Sequence, residues 1–151
     1  MPCLWGSHNN SQIFLDVAIL PADFSQQIPE AIDLTKSPSV FKALVDTGAQ
    51  STCITKSVAE QVNLTPIGKV PVQGVSGIQY HNNYMFLIGL PDNLPAKDKK
   101  LHNDRQLFMY KELEGVELKS PSKDFQILLG MDIISIGSLK IEGNGTFSFS
   151  Y

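Results

Sequence analysis

The chain has no strong excess of either charge: its formal net charge is -3 over 151 residues. No lysine- or arginine-rich run stands out, so nothing in it offers a footprint for nucleic acid or for an anionic membrane. It has no long apolar run either. The stretch from Met85 to Ile88 stops at Gly89, far short of a bilayer span. The first ten residues lack both a basic start and an apolar stretch, so no secretory signal is expected. Cysteine is scarce, with only Cys3 and Cys53. The two could pair, but isolated cysteines at this spacing more often remain free thiols in a reducing compartment, which points to a cytoplasmic protein. The histidines His8, His81 and His102 are scattered through polar surroundings, which excludes a recognisable metal set and favours surface positions. No cofactor motif is present. No serine sits in a G-x-S-x-G setting, which disfavours a serine hydrolase. Tandem repeats and low-complexity tracts are also missing.

What remains is an ordinary globular composition, 42% hydrophobic and 18% charged, at a length that suits one domain. Apolar segments are short and bounded by glycine, proline and polar clusters. Strands are predicted at Ser11–Leu20, Val40–Val45, Ser51–Ile54 and Phe125–Leu129. Lys69–Gly74 and Ile78–Leu90 flank the small-residue turn Gly74-Val75-Ser76-Gly77 and read as a long hairpin. Ser138–Glu142 and Thr146–Tyr151 form another around Gly143-Asn144-Gly145. A helix should start after Thr55, bury Val58, Ala59, Val62 and Leu64, and stop at Asn63. A shorter one is expected over Met131–Ile136. The spans 21–38 and 91–123 read as loop insertions, with a short helical turn near Glu30–Leu34 and a strand at Leu107–Tyr110. Cys3 and Trp5 fit either an unstructured start or an edge strand. Many short strands without a βαβ rhythm make an all-β fold with one or two short helices.

The chemistry-bearing segment is Phe41-Lys42-Ala43-Leu44-Val45-Asp46-Thr47-Gly48-Ala49-Gln50-Ser51-Thr52. An apolar strand delivers Asp46 into a turn, Thr47 offers a hydroxyl, and Gly48 permits close backbone approach. An Asp-Thr-Gly triplet alone arises by chance in about three in a hundred chains of this length, and by itself it equally fits an Asx-type turn. Two further elements accompany it in order: the glycine-tipped hairpin over Val72–Tyr80, and the run Ile127-Leu128-Leu129-Gly130 before the second helix.

Together these resemble the retropepsins, the dimeric aspartic proteases of retroviruses. Leu44, Val45, Asp46, Thr47, Gly48, Ala49 and Thr52 match the pattern of their active-site loop. The Ala49-Gln50 pair also resembles the retropepsin-like domain of ubiquitin-shuttle proteins of the DNA-damage-inducible type. The resemblance implies a retropepsin-like acid protease β-barrel in one domain, with core segments at about 11–20, 40–90 and 124–151. It implies an aspartic endopeptidase acting on peptide or protein substrates, without a cofactor. It makes Asp46, Thr47 and Gly48 the catalytic loop. Ala49 and Gln50 become substrate-binding residues, and Val75, Ser76 and Gly77 a flap that closes over the peptide. Asp132 follows Gly130 and is expected to cap or solvate the helix there.

Such a protease needs two carboxylates sharing one proton, and the chain holds one Asp-Thr-Gly. The second Asp46 must come from another copy, so the implied enzyme is a homodimer. Gln50 and Ser51 replace an acidic pair that many viral relatives carry. Ala49 stands where pepsin-like enzymes have a hydroxyl that stabilises the ionised dyad, so activity is expected nearer weakly acidic or neutral pH. A catalytically silent peptide-binding or dimerisation module on the same fold is the alternative, as is an unrelated all-β domain with a fortuitous triplet.

Overall fold

A computed structural model of the chain describes residues 3–22, 31–32, 40–92, 106–120 and 122–151. Its elements, in order, are β1 (Cys3–Ser7), β2 (Phe14–Pro21), β3 (Ala31–Ile32), β4 (Val40–Val45), β5 (Cys53–Thr55), α1 (Lys56–Gln61), β6 (Gly68–Gly74), β7 (Gly77–Asp92), β8 (Gln106–Leu118), β9 (Ile127–Leu129), α2 (Met131–Ile134), β10 (Ser138–Ile141) and β11 (Thr146–Ser150). Six of these strands close a barrel. β2 pairs antiparallel with β4, β4 runs parallel to β9, and β9 is antiparallel to β5. β5 is parallel to β8, β8 antiparallel to β7, and β7 returns antiparallel to β2. β3 adds to β8, and β6 adds to the far end of β7. A separate three-stranded sheet has the order β1-β11-β10. Among the described residues no helix is long and apolar enough to cross a membrane.

Period-two alternation builds the barrel wall. Leu15, Val17 and Ile19 of β2 point inward, while Asp16 faces out. Tyr84, Phe86, Ile88 and Leu90 of β7 do the same, and all four are buried. Each such side chain contributes roughly 1.5–3 kcal/mol on leaving water. The three-stranded sheet shares this core: Leu4, Phe147 and Phe149 join it. The Tyr151 hydroxyl donates toward the carbonyls of Pro91, at 2.7 Å, and Leu90, at 3.2 Å. Gly115 of β8 lies under the ring of Phe86, and a Cβ there would come 2.4 Å from a ring carbon. Only a residue without a side chain lets β8 pack beside β7 at that point.

The first helix forms as its sequence predicts. Thr55 caps it, its hydroxyl accepting from the Val58 amide at 3.3 Å. Asn63 ends it in a left-handed conformation, φ 59°. The second helix is shorter than expected, ending at Ile134. Both predicted hairpins are present. The turn of the long one has Gly77 at φ 112°, a region closed to most side chains.

Two expectations need correction. The span 91–123 is not simply a loop insertion: β8 runs through it to Leu118, and ten of its residues pair with β7. Its charged residues concealed the strand. Glu112 and Glu114 face out while Leu113 and Gly115 face in. Within the span 21–38, Ala31–Ile32 is a short strand on β8 rather than part of a helical turn; pairing across the sheet supplies the backbone bonds a helix would have made. Residues 23–30, 33–38, 93–105 and 121 of these spans, His102 among them, lie outside the described residues. Cys3 and Trp5 belong to β1, paired in register with Ser150 and Ser148.

Candidate active site

β4 brings Asp46 to the rim of the barrel, and neighbours on both sides hold it there. The Val45 amide donates to Ile13 O at 2.9 Å, and the Asp46 amide donates to Leu129 O at 3.0 Å. The chain then turns: Ala49 N–H reaches Asp46 O at 3.2 Å, and Gly48 N–H reaches the Asp46 carboxylate, Oδ1, at 2.8 Å. A Cβ on Gly48 would sit 3.1 Å from that same oxygen, so the glycine keeps the contact free of crowding. Asp46 and Ala49 are half-buried, whereas Thr47, Gly48 and Gln50 are exposed. Among the described residues the Thr47 hydroxyl has no hydrogen-bond partner within the chain.

The loop rests on the segment after β9. Met131 N–H donates to Ala49 O at 2.8 Å, and Asp132 N–H donates to Gln50 O at 3.2 Å. Thr52 is fully buried, at 0% exposure. Its amide donates to Asp132 Oδ2 at 2.9 Å and its hydroxyl to Asp132 Oδ1 at 2.7 Å. The same hydroxyl accepts from Gly130 N–H at 3.1 Å. A Cβ on Gly130 would come 2.6 Å from the Ser51 carbonyl carbon, so this approach requires glycine. Asp132 therefore does not cap or solvate α2. The N-cap is Gly130, with no side-chain hydrogen bond, and the carboxylate turns across to Thr52. The pull is chemical: two buried donors on Thr52 need acceptors, and a carboxylate supplies both.

A cavity of about 480 Å³ opens beside Asp46 and Thr47. Its other sides are the turn before β2, from His8 to Ile13, and Leu139 and Ile141 of β10. Sequence reasoning missed these contributors, because only the folded chain brings residues 8–13 and 139–141 beside residue 46. The expected flap residues Val75, Ser76 and Gly77 stand at the tip of the β6–β7 hairpin, and they do not line this cavity. Val75 is fully exposed, and Ile78 and Tyr80 are exposed at 63% and 64%. The structure thus brings Asp46, Thr47, Gly48, Ala49 and Gln50 together in one loop, and leaves Val75–Gly77 on a separate arm. No cluster of three or more metal-ligating side chains occurs among the described residues. His8 and His81 are half-buried, each bonded to a backbone carbonyl.

The family model described as gag-polyprotein putative aspartyl protease matches residues 33–135. The chain belongs to this family. A retropepsin-like aspartic protease from Rickettsia conorii, known from its crystal structure, has a similar fold. It aligns over 99% of this chain and 90% of its own, with a TM-score of 0.57 and 12% identity. The solution structure of simian foamy virus (mac) protease aligns over 82% of this chain and 92% of its own, with a TM-score of 0.46 and 18% identity. No curated protein sequence matches the chain. The fold of this aspartyl protease family member is retropepsin-like, as the sequence resemblance implied.

Cys53 lies beneath the loop of this retropepsin-like chain as a free, half-buried thiol. Burial first, then the negative charges of Asp132 and Asp46, push its pKa from the ordinary 9.0 up to about 11. The thiol therefore stays protonated and inert near neutral pH.

Two outcomes follow. Asp132→Ala leaves the Thr52 amide and hydroxyl buried without an acceptor and should cost roughly 3 kcal/mol in urea denaturation, with Asp132→Asn losing less. A loss under about 0.5 kcal/mol, the scale of an ordinary surface substitution, would show that the clamp is dispensable. Because the folded state holds the Cys53 proton more tightly than the unfolded chain, its contribution is intact below about pH 9 and is lost as pH rises toward about 11. Wild type should therefore lose stability relative to Cys53→Ala between these limits; parallel curves would contradict the shift.

Proposed function

We propose that this chain is an aspartic endopeptidase that acts as a homodimer, each copy supplying one Asp46 carboxylate. The observation that carries this reading is the placement of Asp46: half-buried at a strand end, in a loop braced by backbone bonds from both neighbouring strands, and open to a 480 Å³ cavity. A residue in an ordinary surface turn has no need of such bracing.

One carboxylate takes a proton from the attacking water as the oxygen adds to the scissile carbonyl carbon. The other, protonated, hydrogen bonds to the carbonyl oxygen as negative charge gathers there. Collapse of the tetrahedral intermediate breaks the C–N bond, and the departing nitrogen takes the proton that the first carboxylate accepted from water. Two like charges this close do not both ionise readily, so the pair shares a proton. A two-fold axis beside Asp46 meets the requirement with a single kind of chain.

Features of the single chain support a second copy. The sheet order β1-β11-β10 leaves β10 with an outer edge unpaired among the described residues, and β10 borders the cavity that holds Asp46. Ile141 on that strand is 58% exposed. The Thr47 hydroxyl, without a partner among the described residues, is available to bond across the axis. Val75, Ser76 and Gly77 then act as the lid, and Ala49 and Gln50 flank an extended peptide that pairs as an added strand.

The test is cleavage of a peptide library by wild type and by Asp46→Asn, with sedimentation of both. Wild type should sediment as a dimer and cleave, and the variant should remain dimeric while losing at least two to four orders of magnitude in rate, roughly the worth of a general base. Peptide binding without cleavage by wild type would instead indicate a silent module. With Ala49 in place of a hydroxyl residue, activity should peak at weakly acidic to neutral pH. A sharp optimum below about pH 3 would contradict that assignment.

A further inference from the structure

Beyond the half-buried His8 the turn from His8 to Gln12 is exposed, yet hydrogen bonds tie its backbone down. The Asn9 carboxamide oxygen accepts from Ser11 N–H at 3.1 Å, the Ser11 hydroxyl at 3.0 Å and Gln12 N–H at 2.7 Å. His8 N–H donates to Gly145 O at 2.9 Å. The imidazole of His8 works in both directions. Its Nε2 lies 2.7 Å from Glu142 O, and its Nδ1 lies 3.1 Å from Asn10 N. A carbonyl only accepts and a backbone amide only donates, so the pattern fits a neutral ring carrying its proton on Nε2. His8 thus clasps the turn to the loop between β10 and β11.

The clasped turn forms the polar wall of the cavity beside Asp46, with His8, Asn10 and Gln12 on it. The opposite floor is apolar: Ile13, Leu44, Val45, Leu139 and Ile141. Among the described residues the side-chain amides of Asn10 and Gln12 have no hydrogen bond within the chain. With the Thr47 hydroxyl they are polar groups left for a ligand, in a pocket whose lining is part polar and part apolar.

Building on the endopeptidase reading, we propose that this cavity is a subsite for the substrate side chain flanking the scissile bond, that it selects an apolar body with a hydrogen-bonding tip, tyrosine over phenylalanine or leucine, and that His8 is the positioning residue that holds its polar wall. The ring of such a residue lies on the Leu44–Val45 floor, and its hydroxyl reaches the Asn10 or Gln12 amide. Phenylalanine covers the same floor but strips water from those amides without replacing it.

The experiment compares kcat/KM for peptide pairs that differ only by Tyr or Phe beside the scissile bond. Wild type should favour tyrosine about tenfold, roughly the worth of one hydrogen bond. Gln12→Leu combined with Asn10→Gly, which keeps the left-handed backbone at residue 10 (φ 67°), should bring the ratio close to one. His8→Ala should do the same, with the change confined to the tyrosine peptide. His8→Asn, whose carboxamide oxygen replaces Nδ1 as acceptor for Asn10 N–H, should restore part of it. If His8→Ala fails to fold, the Gln12 and Asn10 substitutions still decide, because neither amide holds the chain together. A wild-type ratio near one overturns the subsite. So does a ratio that survives these substitutions while the dimer dissociation constant shifts, which would make the cavity a contact between copies. Absence of any wild-type cleavage instead removes the endopeptidase reading, and the subsite with it.

Discussion

A threonine sealed inside a barrel must find acceptors for its backbone and side-chain hydrogens, and Thr52 finds both on one carboxylate, eighty residues further along the chain. The rest of the site hangs from that requirement. Asp132 can reach Thr52 only if Gly130 passes against Ser51 without a side chain, which in turn seats the start of α2 under Ala49 and Gln50. The loop carrying Asp46 is thereby held from below by α2 and from the side by β9. Unmade, those buried hydrogen bonds would cost more than an ordinary surface contact contributes, so the loop has one favoured shape.

Legibility in the sequence followed the range of the interaction. Local signals survived: the Thr55 cap, the Asn63 stop, the glycine turns of both hairpins, and the Asp46-Thr47-Gly48 loop at the end of an apolar strand. Signals that depend on distant partners did not. β8 carries Glu112, Glu114 and Glu117 among its apolar residues and reads as a charged surface loop until β7 is placed beside it. Asp132 reads as a helix-start residue because nothing near it in sequence announces Thr52. His8 reads as a surface histidine because its acceptor belongs to residue 142. β1 has too few residues to declare itself, and becomes a strand only when β11 offers an edge.

The cavity at Asp46 illustrates how such a fold divides its labour. Its apolar floor comes from the strand that delivers the carboxylate and from β10, both tied into the core. Its polar wall comes from a turn held almost wholly by hydrogen bonds. Packing thus fixes where the reacting group stands, while a short and replaceable turn determines what is placed against it. Substitution of the Asn10 and Gln12 amides disturbs little else, since neither side chain belongs to the buried core.

β7 spans both parts of the molecule. From Gly77 to Asn83 it pairs with β6 as an arm, and from Asn83 to Asp92 it is a stave of the barrel paired with β8. The two halves share one uninterrupted pleat, so the parity of the arm is locked to that of the stave. A single residue inserted near Asn83, with the barrel half kept in place, would rotate the arm by half a turn: Ile78 and Tyr80 would exchange sides with Gln79 and His81. An odd change at the base of the arm therefore keeps its two faces only if a bulge absorbs the extra residue, whereas an even change keeps them without one.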